Sequence, residues 1–502
     1  MTAIFDRMDD TPLDAFQRRV LIAAVVMHAI AAWYSSGYYA ADEHYQVIAF
    51  AQQRFGELPA YELPWEFHAH IRSAWLPGLA YLVIKGCRAS SIADPFLIAF
   101  VLRAITALLA LVVVRRFMNA ALPLVRPDLQ RWYIGLSWLL WFLPYEHVRF
   151  ASETWGGLLF LAGVTFILGE RRKRREDLLM GLLFGLAFQV KPSVLVMCLG
   201  VIAWLVMRST QRIRQVLTIL LGGLVALGLG ALVDAWFYGG FQPTLWNYLH
   251  MAIAGDSPRA FEVYPWYSYF PWMLKYGVWP IGAILLAAVF WLTYRAPTSW
   301  LVWSIWPYLI MLSIIPHKEV RFLFPLVDLA PLVLVLAWQE LDDGSFERVT
   351  GSRVVLVLLM VINACGLLVS TTTAAGSGRT RLANDIQEWH TGHVVSVGYD
   401  FNKELMWEVR IPSFYLSTGV KDLGSFDPST SVKALPEALV PDLRVALVGS
   451  GADLRAEREG YRLIARTEGP LANALLKLYN GRQHGRFALY AREARTSPPS
   501  EP

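Results

Sequence analysis

The sequence contains very little cysteine. Its 502 residues include only Cys87, Cys198 and Cys365, which lie in or beside apolar segments. Three thiols at these positions make neither a disulfide framework nor a metal-binding spacing. We interpret them as small apolar side chains that fill a packed interior.

Several nucleotide- and ester-processing motifs are also missing. The chain has no phosphate-cradling P-loop, no dinucleotide-binding glycine pattern in a βαβ setting and no nucleophile elbow. It has no repeat with the period of a solenoid or propeller. His68 and His70 with Glu66 come nearest to a metal motif, but their spacing fits no strong one. The sequence therefore predicts no metal and no other cofactor.

Charge is scarce, whereas apolar residues are abundant. Charged residues make up 17% of the chain and hydrophobic residues 55%, with a mean hydropathy of +0.40. Aromatic residues are frequent, with 20 Trp, 21 Tyr and 26 Phe. This composition is typical of an all-α polytopic membrane protein.

Apolar runs separated by basic loops predict about eleven transmembrane helices. Residues 1–19 end in Gln17-Arg18-Arg19 and are predicted to be cytoplasmic, because Arg and Lys are enriched on that side. A transmembrane domain of residues 20–371 follows. Its predicted spans are Leu21–Tyr39, Phe96–Val114, Trp132–Leu143, Trp155–Leu168, Leu178–Val190, Val194–Met207, Val216–Tyr238, Trp272–Tyr294, Leu301–Ile315, Phe322–Trp338 and Val354–Ser370.

The first outer loop, residues 40–91, carries two shorter apolar segments. Tyr45–Phe55 and Trp75–Gly86 are predicted to be interfacial helices, the second because it is too short for the ~20 residues of a span. If Trp75–Gly86 crossed the membrane, the basic run Arg171–Arg175 would lie outside, against the charge bias. We interpret that run as a topology anchor, and we predict no nucleic-acid partner.

Beyond the last span the composition changes. Residues 378–494 are predicted to form a small α/β soluble domain on the outer side, and residues 495–502 a disordered tail. The predicted strands are His393–Tyr399, Arg444–Gly449, Tyr461–Arg466 and Arg486–Ala491, and the predicted helices are Ala383–His390 and Asp453–Glu459.

One polar stretch stands between two apolar runs. Pro316–Pro325 holds His317, Lys318, Glu319 and Arg321 at the outer membrane edge, where burying each charge costs about 2.5–3.5 kcal/mol. The three cationic side chains suit a phosphate group, and Glu319 would hold them in place. The alternative is a charged cap of a membrane helix, with Lys and Arg reaching to the water.

A second polar stretch follows the first span. Asp42 and Glu43 are adjacent, and one of them could act as a general base toward an attacking hydroxyl. They could equally cap the helix that begins near Tyr45. Further ionisable residues are predicted at the same outer surface: Arg72, Glu146, Arg149, Glu153, Lys191 and Asp234. Lys191 either adds positive charge or reaches to water, and Asp234 either contacts an acceptor or braces an arginine. Such a gathering suits a reaction that expels a phosphate.

The first polar stretch also resembles a known signature. His317-Lys318-Glu319-Val320-Arg321-Phe322 is similar to the HKEERF-type motif of glycosyltransferase family 22, the α-mannosyltransferases of N-glycan and GPI-anchor assembly. Val320 replaces the second acid of that motif. Three weaker matches agree in order along the chain: Asp42–Gln46 with Arg72 downstream, Asp234–Gly239, and Pro265–Phe270.

The resemblance implies a GT-C fold and an inverting glycosyltransferase. Such an enzyme moves a sugar, habitually mannose in this family, from a polyprenyl-phosphate carrier to a glycan or glycolipid acceptor at the non-cytoplasmic face of the lipid bilayer. In that scheme Asp42, with Glu43 beside it, supplies the base. The residues implied at the donor phosphate are His317, Lys318, Arg321 and Arg72, with Glu319, Lys191, Arg149 and Asp234 in support. Short loops and arginine-rich inner loops suggest a bacterial inner membrane with a periplasmic site, or the endoplasmic reticulum lumen in a eukaryote.

Two other functions fit the same residues. A transporter or flippase of lipid-linked sugars would explain the spans and charges, although an acid pair and a soluble outer domain are less expected of it. A transferase of another group on the same face, such as phosphoethanolamine, often needs a metal or a nucleophilic Ser or Thr. Sugar transfer by purified protein, and its response to chelation, would separate the three.

Overall fold

The computed structural model describes most of the chain as two compact units. The described residues are 12–169, 173–208, 212–254, 262–341, 350–389, 394–400, 410–416, 419–426, 436, 439–447, 457–467 and 487–492. One unit comprises Met1–Trp33, Tyr45–Ser90 and Val101–Thr372. The second comprises Tyr34–His44, Ser91–Phe100 and Thr373–Pro502.

Helices dominate the chain as far as residue 389. The helices of eight or more residues are Pro12–Tyr34, Trp75–Ala89, Pro95–Ala121, Gln130–Leu139, Ser152–Val164, Arg174–Val190, Leu195–Arg208, Arg212–Tyr238, Thr244–Ala254, Tyr269–Tyr276, Ile281–Arg295, Trp300–Ile314, Ala330–Leu341, Thr350–Thr372 and Leu382–Trp389. A helix satisfies its own backbone hydrogen bonds, so it is the form that apolar segments take in lipid.

Four helices within the described ranges have the length and hydropathy to cross a membrane. They are Leu13–Tyr34, Pro95–Leu124, Arg212–Tyr238 and Arg353–Thr372. Val320–Val327 and Ala330–Leu341 pass the same test together but meet at 66°. The shorter apolar helices are Ser152–Ile167, Pro192–Arg208, Ile281–Arg295 and Trp300–Ile314. The prediction of an all-α polytopic membrane protein with a small C-terminal sheet region is confirmed.

One predicted span is wrong because it is two helices. Trp272–Tyr294 was expected to cross the membrane as a single helix, but Tyr269–Tyr276 ends at Gly277 and Ile281–Arg295 begins afresh. Pro280 precedes the second helix and has no N–H with which to continue the first. The region is predominantly apolar, but its helix is interrupted.

Other predicted spans also differ from the expected single helices, in their ends or by a bend. Leu21–Tyr39 stops at Tyr34, before a polar turn in which Gly37 takes a φ of +85° that few residues other than glycine adopt. Phe322–Trp338 bends by 66° where Asp328 and Leu329 separate the two helical pieces. Asp328 is buried at that bend.

Both predicted helices of the first outer loop form. A π-helix, His44–Ile48, runs into Ala49–Arg54, and Trp75–Ala89 forms a helix of 15 residues. The rings of Phe55 and Tyr81 stack at a centroid distance of 4.4 Å and join the two helices. Their placement at the membrane interface stays a prediction.

The core of the helical unit is built from aromatic and aliphatic side chains. Trp138, Phe160, Met197 and Tyr308 have essentially no exposed surface, and Phe160 stacks on Phe184 at a centroid distance of 5.8 Å. By contrast, only 6% of the apolar segment within Arg353–Thr372 is buried by protein. A helix so apolar and so little covered has the surface of a lipid-facing span.

The second unit contains a five-stranded mixed sheet. Its strands are β1 Val395–Asp400, β2 Val420–Phe426, β3 Leu443–Leu447, β4 Tyr461–Arg466 and β5 Phe487–Arg492. The spatial order is β2-β1-β3-β5-β4; β1 is parallel to β2 and β3, and β5 is antiparallel to β3 and β4. Buried Arg444 on β3 pairs with Asp400, at 2.6 Å, and with Glu459.

Four of these strands were predicted, whereas β2 was missed. Its sequence, Val420-Lys421-Asp422-Leu423-Gly424-Ser425-Phe426, is poor in strand-forming residues, so only its pairing with β1 identifies it. The predicted helix Ala383–His390 is present as Leu382–Trp389. Most of the predicted helix Asp453–Glu459 and the whole tail 495–502 lie outside the described residues.

Candidate active site

The polar stretch Pro316–Pro325, called the signature stretch below, begins where an apolar helix ends. Trp300–Ile314 stops before Pro316, and the Lys318 ammonium donates to the carbonyl oxygens of Ser313, at 3.0 Å, and Ile315. A cation at the carboxyl end of a helix satisfies unpaired carbonyls and the helix dipole. Lys318, 2% exposed, is therefore a helix cap here, and two of its three N–H groups are used. Its predicted contact with a donor phosphate stays a prediction.

An outer loop runs alongside the signature stretch. Tyr264 N donates to Pro316 O at 3.1 Å, and Val263 forms an antiparallel bridge with His317. His317 Nδ1 lies 3.1 Å from Glu262 O. The motif-like segment Pro265–Phe270 follows this loop directly, so two stretches that resemble family motifs are neighbours in the fold.

Within the signature, Glu319 holds two cationic side chains. Arg321 donates through Nε and Nη2 to the two carboxylate oxygens, at 2.7 Å each, and His317 Nε2 lies 3.0 Å from the same carboxylate. The hydrogen bond to Glu319 raises the pKa of His317 above its ordinary value. Burial alone would raise the pKa of Glu319, but Arg321 and His317 outweigh it and hold that pKa well below its ordinary value.

A buried acid from another helix completes this cluster. Glu153, in the first turn of Ser152–Val164 and 2% exposed, accepts a hydrogen bond from Lys191 Nζ at 2.6 Å. Its Oε1 lies 3.5 Å from Arg321 Nη1. We call the group Glu153, Lys191, His317, Glu319 and Arg321 the charge cluster. The sequence placed Glu153 at the outer surface, but no local pattern marked it as the bridge between two cations.

Two adjacent glycines let the segments of the cluster meet. A β-carbon at Gly156 would lie 2.8 Å from Lys191 Cβ, and one at Gly157 would lie 2.9 Å from Pro325 Cα. Real β-carbons do not approach that closely, so only glycine permits the contact. The helix that carries Glu153 thereby touches both the Lys191 turn and the end of the signature stretch.

Arg72 lies on a loop whose backbone carbonyls accept hydrogen bonds from side chains of other segments. Its side chain is 4.0 Å from Glu66, and its carbonyl accepts a hydrogen bond from Tyr238 Oη at 2.8 Å. Asn247 Nδ2 donates to the carbonyls of Ala69 and His70 just before it. Tyr238 belongs to the motif-like segment Asp234–Gly239, so that segment positions the arginine loop.

Asp234 acts on the same loop. Its carboxylate accepts hydrogen bonds from Ala74 N at 2.6 Å, Ser73 Oγ at 3.3 Å and Thr244 Oγ1 at 2.5 Å. The sequence left open whether Asp234 contacts an acceptor or braces an arginine side chain. In the structure it accepts hydrogen bonds from Ser73 Oγ and Ala74 N, directly after Arg72. Asp234 therefore supports the loop that carries the arginine.

The predicted acid pair lies in the second unit. Glu43 is buried, and its Oε1 accepts a hydrogen bond from Tyr39 N at 3.2 Å, while Glu43 N donates to Ala40 O at 3.1 Å. Asp42 is half-buried. Glu43 therefore closes the turn, and Asp42 is the less buried acid of the pair, so Asp42 is the better candidate for a base.

Arg149, predicted to support the site, is buried beside the ring of Tyr145, with 4.9 Å between the guanidinium and the ring centroid.

His147, two residues before Arg149, belongs to a chain of hydrogen bonds that the sequence did not suggest. His28 Nδ1 lies 2.7 Å from Ala24 O, His28 Nε2 lies 2.9 Å from His147 Nδ1, and His147 Nε2 lies 2.7 Å from Asp328 Oδ1.

A carbonyl only accepts, so His28 Nδ1 donates to Ala24 O. The same region holds three side chains that could bind a metal ion: ligand atoms of Glu146, His147 and Asp328 lie within 4.8 Å of one another. The hydrogen bonds from His28 to His147 and from His147 to Asp328 join three segments that are far apart in sequence.

The long apolar helices identify an integral membrane protein, and the fold is that of the GT-C class. The crystal structure of ArnT from Cupriavidus metallidurans bound to undecaprenyl phosphate aligns with a TM-score of 0.53, covering 96% of this chain and 99% of that chain at 13% identity. At that identity the likeness shows the fold alone.

The chain belongs to the Alg9-like mannosyltransferase family, whose sequence model matches residues 19–394. It is 25% identical over 291 residues to GPI alpha-1,2-mannosyltransferase 3 of Danio rerio, covering 56% of this chain and 53% of that protein. It is 31% identical over 112 residues to alpha-1,2-mannosyltransferase ALG9 of Saccharomyces cerevisiae, covering 21% and 19%. The chain thus spans about half the length of the GPI mannosyltransferases that it matches. The resemblance read from the signature is confirmed.

Proposed function

We propose that the protein is an inverting glycosyltransferase that moves a sugar, by family habit mannose, from a polyprenyl-phosphate carrier to a glycan or glycolipid acceptor. The charge cluster is the observation that carries the proposal. Burying Lys191 and Arg321 together is costly unless acids hold them, and here Glu153 and Glu319 do so. Buried cationic side chains of this kind suit a bound group that gains negative charge during a reaction.

In the proposed reaction, Asp42 accepts the proton of the acceptor hydroxyl. The hydroxyl oxygen forms a bond to the anomeric carbon as the bond from that carbon to the carrier phosphate breaks. The leaving phosphate takes the electron pair, and Lys191, Arg321, His317 and Arg72 stabilise its charge. Attack from the face opposite the phosphate inverts the anomeric configuration. No step in this scheme needs a metal.

Localisation follows from the charge of the loops. We propose that the N-terminus faces the cytoplasm and that the site and the C-terminal sheet face the other side of the membrane. In a bacterium that side is the periplasm of the inner membrane, and in a eukaryote it is the lumen of the endoplasmic reticulum.

Full-length purified protein tests the proposed activity. It is incubated with polyprenyl-phosphate mannose, glucose and arabinofuranose in turn, with and without chelator, and sugar transfer or hydrolysis is followed by mass spectrometry. We expect transfer or slow hydrolysis of one donor, unaffected by chelation and abolished in Asp42→Asn. Transport of a lipid-linked sugar without any transfer would favour a flippase, and full loss on chelation would favour a metal-dependent transferase.

A further inference from the structure

The segment that carries the candidate base folds with the C-terminal part of the chain. Tyr34–His44 and residues 373 onward belong to the same compact unit. Ala375 N donates to Ser36 O at 2.9 Å, and Arg381 Nη2 donates to Tyr34 O at 3.1 Å. The backbone just after the first helix is therefore fixed by residues more than three hundred positions later in the sequence.

Tyr38 is the first side chain that anchors this segment. It is 2% exposed, its hydroxyl donates to Arg410 O at 3.3 Å, and the Arg379 guanidinium lies 4.3 Å from its ring centroid. A cation over a buried aromatic face stabilises the contact. The preceding Gly37 lies so close to Thr380 that a β-carbon would come within 2.7 Å of Thr380 Oγ1.

His44 is the second anchor. It is 2% exposed, and its ring lies 5.6 Å from the ring of Tyr38, 6.1 Å from that of Phe414 and 5.8 Å from that of Tyr415. Burial, with a smaller contribution from Arg379, lowers the pKa of His44 to about 3. The imidazole is therefore neutral at working pH and contributes as an aromatic ring in a cage of aromatic rings.

Asp42 lies between these two anchors. Tyr38 is four residues before it and His44 is two residues after it, and the Glu43 carboxylate closes the intervening turn onto Tyr39 N. A carboxylate in a turn that is fixed at both ends has little freedom to change its direction. The side chains that fix both ends come largely from residues 379–415.

We propose that the C-terminal unit positions the catalytic base, with Arg379, Phe414 and Tyr415 acting as positioning residues through Tyr38 and His44. This inference rests on the proposed role of Asp42. A proton acceptor must be within hydrogen-bond reach of its hydroxyl, and a misplacement of about 1 Å can cost about a hundredfold in rate. Arg379, Phe414 and Tyr415 then serve catalysis indirectly, by fixing the segment that carries the base.

The test compares turnover with donor affinity in the purified full-length chain. In Arg379→Met and Tyr415→Ala we expect kcat to fall about 10- to 100-fold with the donor KM within about twofold of wild type. Arg379→Lys keeps a cation over the Tyr38 ring and should recover most of the turnover. Arg462→Met, on the exposed edge of β4, is the control and should behave as wild type.

A cross-link guards against variants that are merely unfolded. Ser36→Cys with Ala375→Cys joins two backbones that are already hydrogen-bonded, and it should restore kcat in the Arg379→Met background under oxidising conditions. Wild-type kcat in folded Arg379→Met and Tyr415→Ala, or no recovery with the cross-link formed, would overturn the inference. Full activity of Asp42→Asn would instead overturn the proposed base, so the two failures are distinguishable.

Discussion

Glu153 is the residue on which the charge cluster depends most. It is almost fully buried and contacts both Lys191 and Arg321, which come from separate segments. Without it, two cations would remain close together in a low-dielectric environment with Glu319 as the remaining acid of the cluster. Removing one partner of a buried pair typically costs about 3–5 kcal/mol, because the other charge stays buried.

Glu153→Ala should therefore lower both stability and donor binding. We expect a loss of about 3–5 kcal/mol in the free energy of unfolding, and Glu153→Ala combined with Lys191→Met should be less destabilised than the single variant. Thermal or denaturant unfolding of the purified protein measures the first effect, and donor titration measures the second.

An exposed ion pair supplies the matched control. Glu57 pairs with Arg88, and the side chains are 38% and 36% exposed, so Glu57→Ala should change stability by less than about 1 kcal/mol. Equal effects of Glu57→Ala and Glu153→Ala would contradict the assignment of Glu153 as the centre of the cluster.

The pH dependence of the cluster follows from His317 and Glu319. The pKa of His317 is raised above its ordinary 6.5, so the contribution of its charge is complete below that pH and is lost as the pH rises through the raised value. The pKa of Glu319 is lowered from 4.5, so its contribution is complete above that pH and is lost only on strong acidification. The cluster is thus intact in mildly acidic to neutral solution.

We expect the donor KM to rise about tenfold as the pH is raised through the His317 pKa, since one charged hydrogen bond is lost. In His317→Gln the KM should be higher at the outset and flat over the same range. Initial rates at a series of pH values measure this. A rise of the same size in His317→Gln would assign the titration to another group.

At the scale of elements, the site depends on how closely three segments approach. The helix Ser152–Val164 carries Glu153 and, one turn later, the two glycines against which Lys191 and Pro325 pack. Close packing, more than sequence proximity, creates the cluster.

Gly157→Ala should separate these elements. Its β-carbon would lie 2.9 Å from Pro325 Cα, so the backbone must shift, at a cost of about 1–3 kcal/mol. We expect lower thermal stability and weaker donor binding. Gly135→Ala is the control, because nothing lies within 4 Å of its built β-carbon and alanine favours a helix. If Gly135→Ala were the more damaging change, the close-approach argument would fail.

At the scale of the whole molecule, the orientation in the membrane can be checked with single cysteines. In a cysteine-free background, Lys173→Cys should react with a membrane-impermeant maleimide only after the cells are opened. Glu457→Cys, in the second unit, should react in intact spheroplasts, because the orientation proposed from the loop charges has the two on opposite sides. Both positions are exposed in the structure. The reverse labelling pattern would overturn the proposed orientation.

The sequence by itself determined the class of this protein. Long apolar runs require helices in lipid, basic loops predict an orientation, and the His317–Phe322 stretch identifies the family. Strands rich in Val, Leu and Tyr were also readable, whereas β2 was not, because its pairing with β1 and not its own composition makes it a strand. These are local properties, and each follows from a short window of residues.

Only the tertiary structure decided which charges meet. It brought Glu153 to Lys191 and Arg321, turned Lys318 into a helix cap, and linked His28, His147 and Asp328 in one chain. It also assigned the segment of Asp42 to the C-terminal unit. Such contacts depend on glycines, bends and buried partners far apart in the chain. Hydropathy and charge along the sequence do not tell how far apart two such residues lie in the folded protein.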